Sequence, residues 1–482
     1  TLMAELGWIS DRNFLEEYYR NEWETFKDFT TGVQLSQARD HISWSVSADV
    51  RLNDFLTQTE WLPRADHFIL GQRVAEGLTW FAHSGVGYGR FRTGAAPTSP
   101  KEAALFTYLP WESPAPPGAP GEPLKVDGER VFTRQEIDWP LQLGPVKLVP
   151  YALGEAAHWG EDRTGDDLQR LYYQVGARAS VPFWRTFPEV ESPLWNVHGL
   201  AHKVTFDAEF AFAEANRDMT MLPLYDPLDD DGIEALRRRF AVRTFGVPAG
   251  TVATIPLPFD ERFYALRTGL AGWVTSPVET ADDLMALRLG MNHRLQTKRG
   301  LPDQRRIVDW MTLDTNLTIF PNADRDNFGT AAGLLDYTYR WFIGDRFTLV
   351  STGLFDFFHD GTQLITIGGY LDRPPRGQLY LGLNLLEGPF RSQVLQASFS
   401  YQMSPKWIGT VGASIDLTGE NIGQSVSVTR IGESLIVNLG VRVDAIRGDT
   451  GVFLSVEPRF LPKRRLTGAA GHIPIAGLEK LE

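Results

Sequence analysis

The sequence predicts an all-β fold, a large antiparallel transmembrane β-barrel with a polar lumen and long loops. Three observations carry that prediction. No run of 18 or more apolar residues occurs in the 482-residue chain, so no transmembrane helix is present. A barrel is the remaining way to cross a bilayer, because it satisfies its backbone polar groups between strands. Period-two alternation of apolar and polar residues recurs along the chain, most clearly in its C-terminal half. Glycine and proline, at 45 and 30 residues, are too many for a chain of long helices and too few for a disordered one, while 12% aromatics suffice for interfacial belts.

Taken in order, the first regular segment sets Trp44, Val46, Ala48, Val50 and Leu52 against Ser43, Ser45, Ser47, Asp49 and Arg51. Tyr173, Val175, Ala177, Ala179 and Val181 then oppose Gln174, Arg178 and Ser180. A run through Val204, Phe206, Ala208 and Phe210 follows. Met285, Leu287, Leu289, Met291 and Leu295 oppose Arg288, Asn292, Arg294 and Gln296; Met311, Leu313, Leu317 and Ile319 oppose Thr312, Asp314, Asn316 and Thr318. Downstream, the leucines 379, 381, 383 and 385, then Leu395, Ala397, Phe399 and Tyr401, then Trp407, Val411, Ala413, Ile415 and Leu417 repeat the pattern. Leu435 to Val443 alternate with Asn438, Gly440, Arg442 and Asp444, and Val452, Leu454, Val456 and Phe460 with Ser455, Glu457 and Arg459. In all, about twenty strand-like segments of about ten residues give a meander of membrane-crossing length.

Alternation alone does not say which face is inside. A soluble sandwich buries the apolar face, whereas an outer-membrane barrel turns it to lipid. The polar face here carries small residues with charges of both signs, as a hydrated bore allows. Trp44, Tyr401, Trp407 and Phe460 near segment ends suit interfacial girdles. The barrel is therefore assigned to residues 1–462.

Three regions break the pattern. Residues 93–124 hold eight prolines (Pro97, Pro100, Pro110, Pro114, Pro116, Pro117, Pro120 and Pro123), which lack the donor that a sheet interior needs, so they form one long loop. Residues 214–258 form an acidic loop with a short helix from about Ile233 to Phe240. Residues 463–482, opening on Lys463, Arg464 and Arg465, form a Gly/Ala-rich C-terminal tail outside the barrel wall.

Composition removes several functions. With 47 Lys+Arg against 60 Asp+Glu, a net charge of −13, and no basic cluster, nucleic acid is not a partner. Zero cysteines exclude disulfides, thiolate metal sites and a Cys nucleophile. No phosphate loop, G-x-S-x-G elbow or H-E-x-x-H helix occurs, so no enzyme and no cofactor is expected. His198 and His202 stand four apart at the entrance to a strand, where such spacing separates them, and are read as ordinary turn or interface histidines rather than metal ligands. The run Asp226, Asp229, Asp230, Asp231, Gly232 misses the calcium-loop register at Pro227 and reads as a solvated loop. For a dedicated substrate path along the lumen, such as a glycan would take, the candidates are Arg288, Arg294, Asp314, Arg442, Asp444, Glu457 and Arg459, set against the plainer reading that such charges are solvated or paired across strands.

Particular stretches resemble one family. LGWISDRNFLEEYY (residues 6–19, with Ser10, Asp11 and Phe14), VRLNDFLTQTEWLPR ending at Arg64, and RLQTKRGLPDQRRIVDWMTLDTNLTIFP (294–321) are similar to LptD (OstA-type), the outer-membrane lipopolysaccharide-assembly protein. The resemblance implies localisation in the cell outer membrane and a very large barrel fed by a periplasmic jellyroll. Lipopolysaccharide sugars would pass through its lumen, and lipid chains would leave through a lateral seam. It implies as partners lipopolysaccharide, outer-membrane lipids, a lipoprotein plug (LptE-like) and periplasmic bridge proteins. Two departures accompany it. The cysteines that tie jellyroll to barrel in enterobacterial members are absent, and the S-D-x-x-F element belongs several strands into the family's barrel. At the last strand, Pro458 removes one ladder donor and is the candidate weak point of the seam. The alternatives are a porin-like passive channel and a soluble secreted β-rich carbohydrate-active protein.

Overall fold

In a computed structural model, described for residues 1–15, 30–97, 99–103, 106–112, 124–226, 231–253, 255–269, 274–301, 304–373, 376–417, 421–445 and 448–459, the chain forms one 21-stranded sheet. The N-terminal strands are β1 (Leu2–Glu5), β2 (Thr31–Arg39), β3 (Ile42–Val50), β4 (Gln58–Ala75), β5 (Leu78–Arg92), β6 (Lys125–Asp138), β7 (Leu141–Leu143) and β8 (Val146–Trp159). Longer strands follow: β9 (Leu168–Ser192), β10 (Val197–Ala215), β11 (Leu284–Arg299) and β12 (Arg306–Ile319). The rest are β13 (Ala332–Ile343), β14 (Phe347–Asp356), β15 (Gln363–Arg373), β16 (Gly377–Glu387), β17 (Ser392–Ser404), β18 (Trp407–Asp416), β19 (Asn421–Ile431), β20 (Leu435–Asp444) and β21 (Asp449–Pro458). Sequence neighbours pair antiparallel, as a meander requires; the three-residue β7 pairs only with β8, which lets β6 pair with β8 directly. Helices α1 (Pro100–Ala103), α2 (Asp231–Phe245), α3 (Glu261–Gly269) and α4 (Ala323–Asp326) lie between strands.

The chain divides into two compact units. The first comprises Thr1–Ser180, Ala208–Arg288 and Ile319–Ala331, the second Val181–Asp207, Leu289–Thr318 and Ala332–Glu482.

The second unit answers the question that alternation left open. On β19, β20 and β21, Val426 faces Val441, which faces Val452, and Val428 faces Leu439, which faces Leu454. This aliphatic ladder is the exposed face, with Val452 73% and Leu454 66% accessible, while Ser425 and Asn438 on the opposite face are 8% and 9% accessible. Burying a Val or Leu is worth roughly 1.5–3 kcal/mol each, so a ladder of this kind is stable against hydrocarbon and costly against water. The same inversion runs through β16, where Leu379 and Leu381 are exposed and Tyr380 is buried. The aliphatic residues are not packed on a second sheet, which removes the soluble sandwich, and the fold class is the large antiparallel transmembrane β-barrel.

Small residues on the inner face make room for large ones. Tyr380 lies across Gly368 and Gly382; a Cβ on Gly368 would stand 2.7 Å from its ring and one on Gly382 2.1 Å from its hydroxyl oxygen. Outer aromatics gather toward strand ends: Trp44, Tyr401 and Trp407 are all exposed, as girdle residues should be. Phe460 lies outside the described residues, as do Pro114, Pro116, Pro117, Pro120 and Pro123 of the proline-rich loop and the whole tail 463–482.

The first unit carries the molecule's main apolar core on its inner face. Trp61, Phe91, Val126, Phe132, Leu153, Trp159 and Tyr172 from the strands meet Met219, Leu222, Tyr225, Val278 and Ala281 from the β10–β11 connection. The long loop predicted between these strands is thus folded back onto the sheet rather than left in solvent.

Candidate functional site on the inner face

On β6, β8 and β9 the inner face presents charges to one another in layers. In the first layer, Glu155 of β8 stands opposite Arg134 of β6 in the register, with Arg170 of β9 alongside. Glu155 Oε2 accepts from Arg134 Nε at 2.8 Å, and Glu155 Oε1 accepts from Arg170 Nε and Nη2 at 3.1 and 2.6 Å. All three are buried, leaving one carboxylate between two guanidiniums. The spare guanidinium N–H groups donate to carbonyls of the β10–β11 connection, Arg134 to Ser276 and Arg170 to Val278 and Ala281, at 2.5–3.2 Å. The positive excess is therefore satisfied by carbonyl dipoles, which tie the connection to the wall.

A second layer is centred on Arg178 of β9. Its guanidinium donates to Glu136 at 3.1 Å, to Asp138 at 3.3 Å and to Glu209 at 3.0 Å, and lies 4.0 Å from the centroid of the Tyr151 ring. A third layer joins wall to connection outright: Arg130 of β6 pairs with Asp226 at 2.7 Å and stands 3.6 Å from Glu279. The Trp159 indole N–H donates to Glu279 Oε1 at 3.2 Å, and the Asp226 backbone N–H donates to Glu279 Oε2 at 3.1 Å. Burial and the neighbouring Asp226 carboxylate push the Glu279 pKa up to about 7 against the pull of Arg130 and Arg262. At Asp226 burial opposes the charge, but Arg130 and then Arg64 overcome it and hold the carboxyl below its usual value.

The acidic run is thereby corrected in part. Asp226 is not a solvated loop residue; it is a buried ion-pair partner. Pro227, Asp229 and Asp230 lie outside the described residues. Farther along the connection, α2 is locked to the proline-rich loop through Arg238, which pairs with Glu112 and donates to the Thr107 carbonyl at 3.0 Å. The helix runs longer than the sequence suggested, over Asp231–Phe245.

The seven charges singled out from sequence are spread out. Arg288 donates to the Thr268 carbonyl at the end of α3. Arg294, itself exposed, makes a long pair with the half-buried Asp309 at 3.8 Å. Asp314 has its Oδ1 buried without a hydrogen bond on β12. Arg442 and Asp444 stand opposite Gly451 and Asp449, whereas Glu457 stands opposite Ile436. At about 3.4 Å per residue, the six-residue step from Arg442 to Ile436 places Glu457 roughly 20 Å along the ladder from Arg442. Arg459 follows the end of β21 and donates to the Gly432 carbonyl at 3.1 Å. None of the buried layers of the first unit was among these seven.

The family-like motifs prove to be staples. Asp11 Oδ1 accepts from the Asn13 N–H at 3.0 Å, and Arg12 donates to the carbonyls of Phe55 and Ala95 at 2.7 and 2.8 Å. Asn53 of the LND stretch bonds Gly7 and Ile9, so the two stretches are knitted together. Trp61 of the W-L-P element is buried under the Arg130 guanidinium, 4.6 Å from its ring centroid, and edge-on to Tyr225. The HGLAH histidines lie in β10, and His202 meets His293 of β11 rather than His198.

No protein-family model matches the chain, and no curated protein matches it. Among solved structures it is similar to a mutant of the Rh. blastica porin (9% identity, 70% of this chain and 92% of that one, TM-score 0.25). It is also similar to P. aeruginosa FpvA in complexes with heterologous pyoverdines (9%, 90% and 63%, TM-score 0.28). The ferric-catecholate import receptor Fiu from E. coli K12 is a third (8%, 89% and 72%, TM-score 0.30). At these scores the likeness decides nothing by itself, and the fold class rests on strand pairing and exposure.

Proposed function

We propose that this chain is an outer-membrane β-barrel that assembles lipopolysaccharide into the outer membrane in the manner of LptD. The supporting observation is the inverted exposure of the second unit's strands: aliphatic residues outward, small and polar residues inward. Such a wall lets a hydrated glycan pass on one side while acyl chains rest against the other, and the resemblance of residues 6–19, 50–64 and 294–321 points the same way. The reading assigns no catalytic step, since energy for delivery would come through the partner proteins. Arg288, Arg294, Asp314, Arg442, Asp444, Glu457 and Arg459 are proposed as glycan contacts. The lateral seam is proposed at β21, where Pro458 occupies the last strand position, opposite Leu435.

Conditional depletion of the protein in its host, followed by measurement of newly made lipopolysaccharide at the cell surface, tests the reading. Delivery should fall as the protein is lost; unchanged delivery would overturn it. Replacing Pro458 by Ala or Val should alter seam crosslinking and delivery together, and no change in either would reject its role.

One observation favours a second reading, a porin-like passive channel: the β10–β11 connection is folded onto the inner face and fixed there by buried ion pairs. A segment so placed narrows a bore. Solute flux through reconstituted bilayers that survives seam crosslinking would select this reading.

A further inference from the structure

We propose that the lipid-facing side of one rim of the second unit, between β13 and β19, docks the headgroups of anionic phospholipids in the leaflet on the periplasmic side. The hairpins of β13 to β21 distinguish two rims. At one, the connections β13–β14, β15–β16, β17–β18 and β19–β20 are two or three residues long; at the other, β14–β15, β16–β17, β18–β19 and β20–β21 have four to six. Outer-membrane barrels set short turns in the periplasm and longer loops outside, so the short-turn rim meets the phospholipid leaflet. This inference rests on the fold class and not on what the lumen carries.

Charge divides between the rims in the same way. At the long-loop rim stand Asp360, Glu387, Asp416 and Asp444, where Arg391 is the one arginine or lysine among the described residues of the connections and their flanks. At the short-turn rim Arg346, Arg373, Arg376, Lys406 and Arg430 are all exposed. Of the acids there, Asp345 is taken up by Arg299 at 3.8 Å and by the Asn196 amide at 3.3 Å. Asp372 alternates with the buried Tyr370 and so faces inward. Glu433 is left beside five cations, an excess that calls for anions from outside the chain.

The aromatic residues fix the depth of this patch. Arg373 is in phase with the exposed Leu371, and Arg430 with the exposed Val428, so both belong to the lipid-facing side. The register sets Arg373 opposite Gly377 and Gly377 opposite Tyr401. A Cβ on Gly377 would stand 3.3 Å from the Tyr401 ring, so that exposed ring leans over the glycine toward Arg373. Trp407 stands opposite Arg430, whose guanidinium lies 5.6 Å from its ring centroid. Exposed tyrosine and tryptophan at a strand end mark the level of the headgroups, and the cations beside them therefore lie where lipid phosphates lie. At about 4.8 Å per strand, the patch from β15 to β19 is roughly 20 Å wide. A guanidinium takes phosphate oxygens in pairs, whereas a zwitterionic headgroup brings its own ammonium to compete for them, so lipids of net negative charge are selected.

The test uses the full chain refolded into phosphatidylcholine bilayers, with electron paramagnetic resonance of spin-labelled phosphatidylglycerol and phosphatidylcholine reporting how much of each is immobilised at the protein. Each cation near an anionic lipid is worth about fivefold, which averaged over all the lipid positions around the wall should leave a preference of about threefold for phosphatidylglycerol. The preference should fade at about 1 M salt, where the screening length is about 3 Å, a readout that needs no variant. The quadruple variant Arg373→Gln, Arg376→Gln, Lys406→Gln, Arg430→Gln should bring the preference close to parity, whereas Arg391→Gln at the opposite rim should leave it unchanged. Heat-modifiable mobility shows that each variant has formed its barrel. Equal immobilisation of the two lipids by the unaltered protein, a preference that survives in the quadruple variant, or its loss in Arg391→Gln would overturn the proposal. Lipid A that displaces the labelled phosphatidylglycerol better than unlabelled phosphatidylglycerol does would also overturn it, by giving the rim to lipopolysaccharide.

Discussion

Glu279 sets a pH dependence for the connection that fills the inner face of the first unit. It lies on the β10–β11 connection, outside the strands, and is fully buried against Trp159 and Arg130. Docked, its pKa is raised from 4.5 to about 7, first by burial and then by Asp226. Undocked, it would regain its ordinary value. Docking therefore binds a proton: the stabilisation is complete below pH 4.5, declines as pH rises, and is gone above about 7. At about 1.4 kcal/mol for each pH unit, the whole effect is roughly 3 kcal/mol, a few hundred-fold in the docking equilibrium. Asp226 has the opposite sign, but its depressed value puts its loss below pH 3.8, outside this window. The assay is hydrogen exchange of the Asp226 amide, which donates to Glu279, in the wild type and Glu279→Gln compared at each pH from 4.5 to 8. Because both proteins share the intrinsic pH dependence of exchange, their ratio isolates the carboxyl. Protection in the wild type should fall relative to the variant by up to tenfold per pH unit to about pH 7 and then level off. A ratio that stays constant, or that moves toward greater wild-type protection with rising pH, would refute the reasoning.

Three other outcomes are expected. Glu155→Ala leaves Arg134 and Arg170 buried without their shared carboxylate and should cost about 3–5 kcal/mol, read as a lower urea midpoint of the detergent-refolded barrel. Leu381→Arg places a charge on the exposed aliphatic face and should cost about 2–4 kcal/mol when refolding into lipid bilayers, with a much smaller penalty for the same change at an inner position such as Asn384. Gly368→Ala brings a methyl group to within 2.7 Å of the Tyr380 ring and should cost about 1–3 kcal/mol by overpacking, largely relieved by Tyr380→Ala in the double variant.

Much of the sheet was legible because strand and bilayer impose the same two-residue period. Where one face is lipid-exposed and the other is small and polar, as in β16 and β20, every second residue reports its side. The long strands β4, β5, β6 and β8 lack this two-residue signature for a physical reason. Their inner faces meet the protein's own connection instead of water, so the polar and apolar classes mix. In β6 the buried positions include Val126, Arg130, Phe132, Arg134 and Glu136, and the exposed ones include Glu129 and Thr133 beside Val131. Hydropathy cannot separate such faces. The ion-pair layers were hidden for a related reason: Arg134 and Glu155 become neighbours only through the β6–β8 register, which the interposed β7 disguises in sequence. One signal was available. Charges of both signs fall on every second residue in Arg134, Glu136 and Asp138, which is unusual for solvent-facing strands and marks an interior that must be neutralised.

That neutralisation bears on which charges can meet a substrate. A guanidinium already committed to a carboxylate oxygen and two carbonyls, as Arg170 is, has few donors left, and removing it from them would cost more than a passing sugar or phosphate returns. The layers built on Arg134, Arg170 and Arg130 are therefore anchors for the connection. A loosely held charge behaves differently: a long pair with an exposed guanidinium, such as Arg294–Asp309 at 3.8 Å, is worth about 0–1 kcal/mol and can be exchanged for a contact with a ligand at little cost. On that reasoning Arg294 should matter more to transport than to stability, and Arg170 the reverse. Arg294→Ala should leave the urea midpoint unchanged while altering transport, and Arg170→Ala should lower the midpoint and loosen the connection. The opposite assignment would mean that the connection leaves the wall during passage.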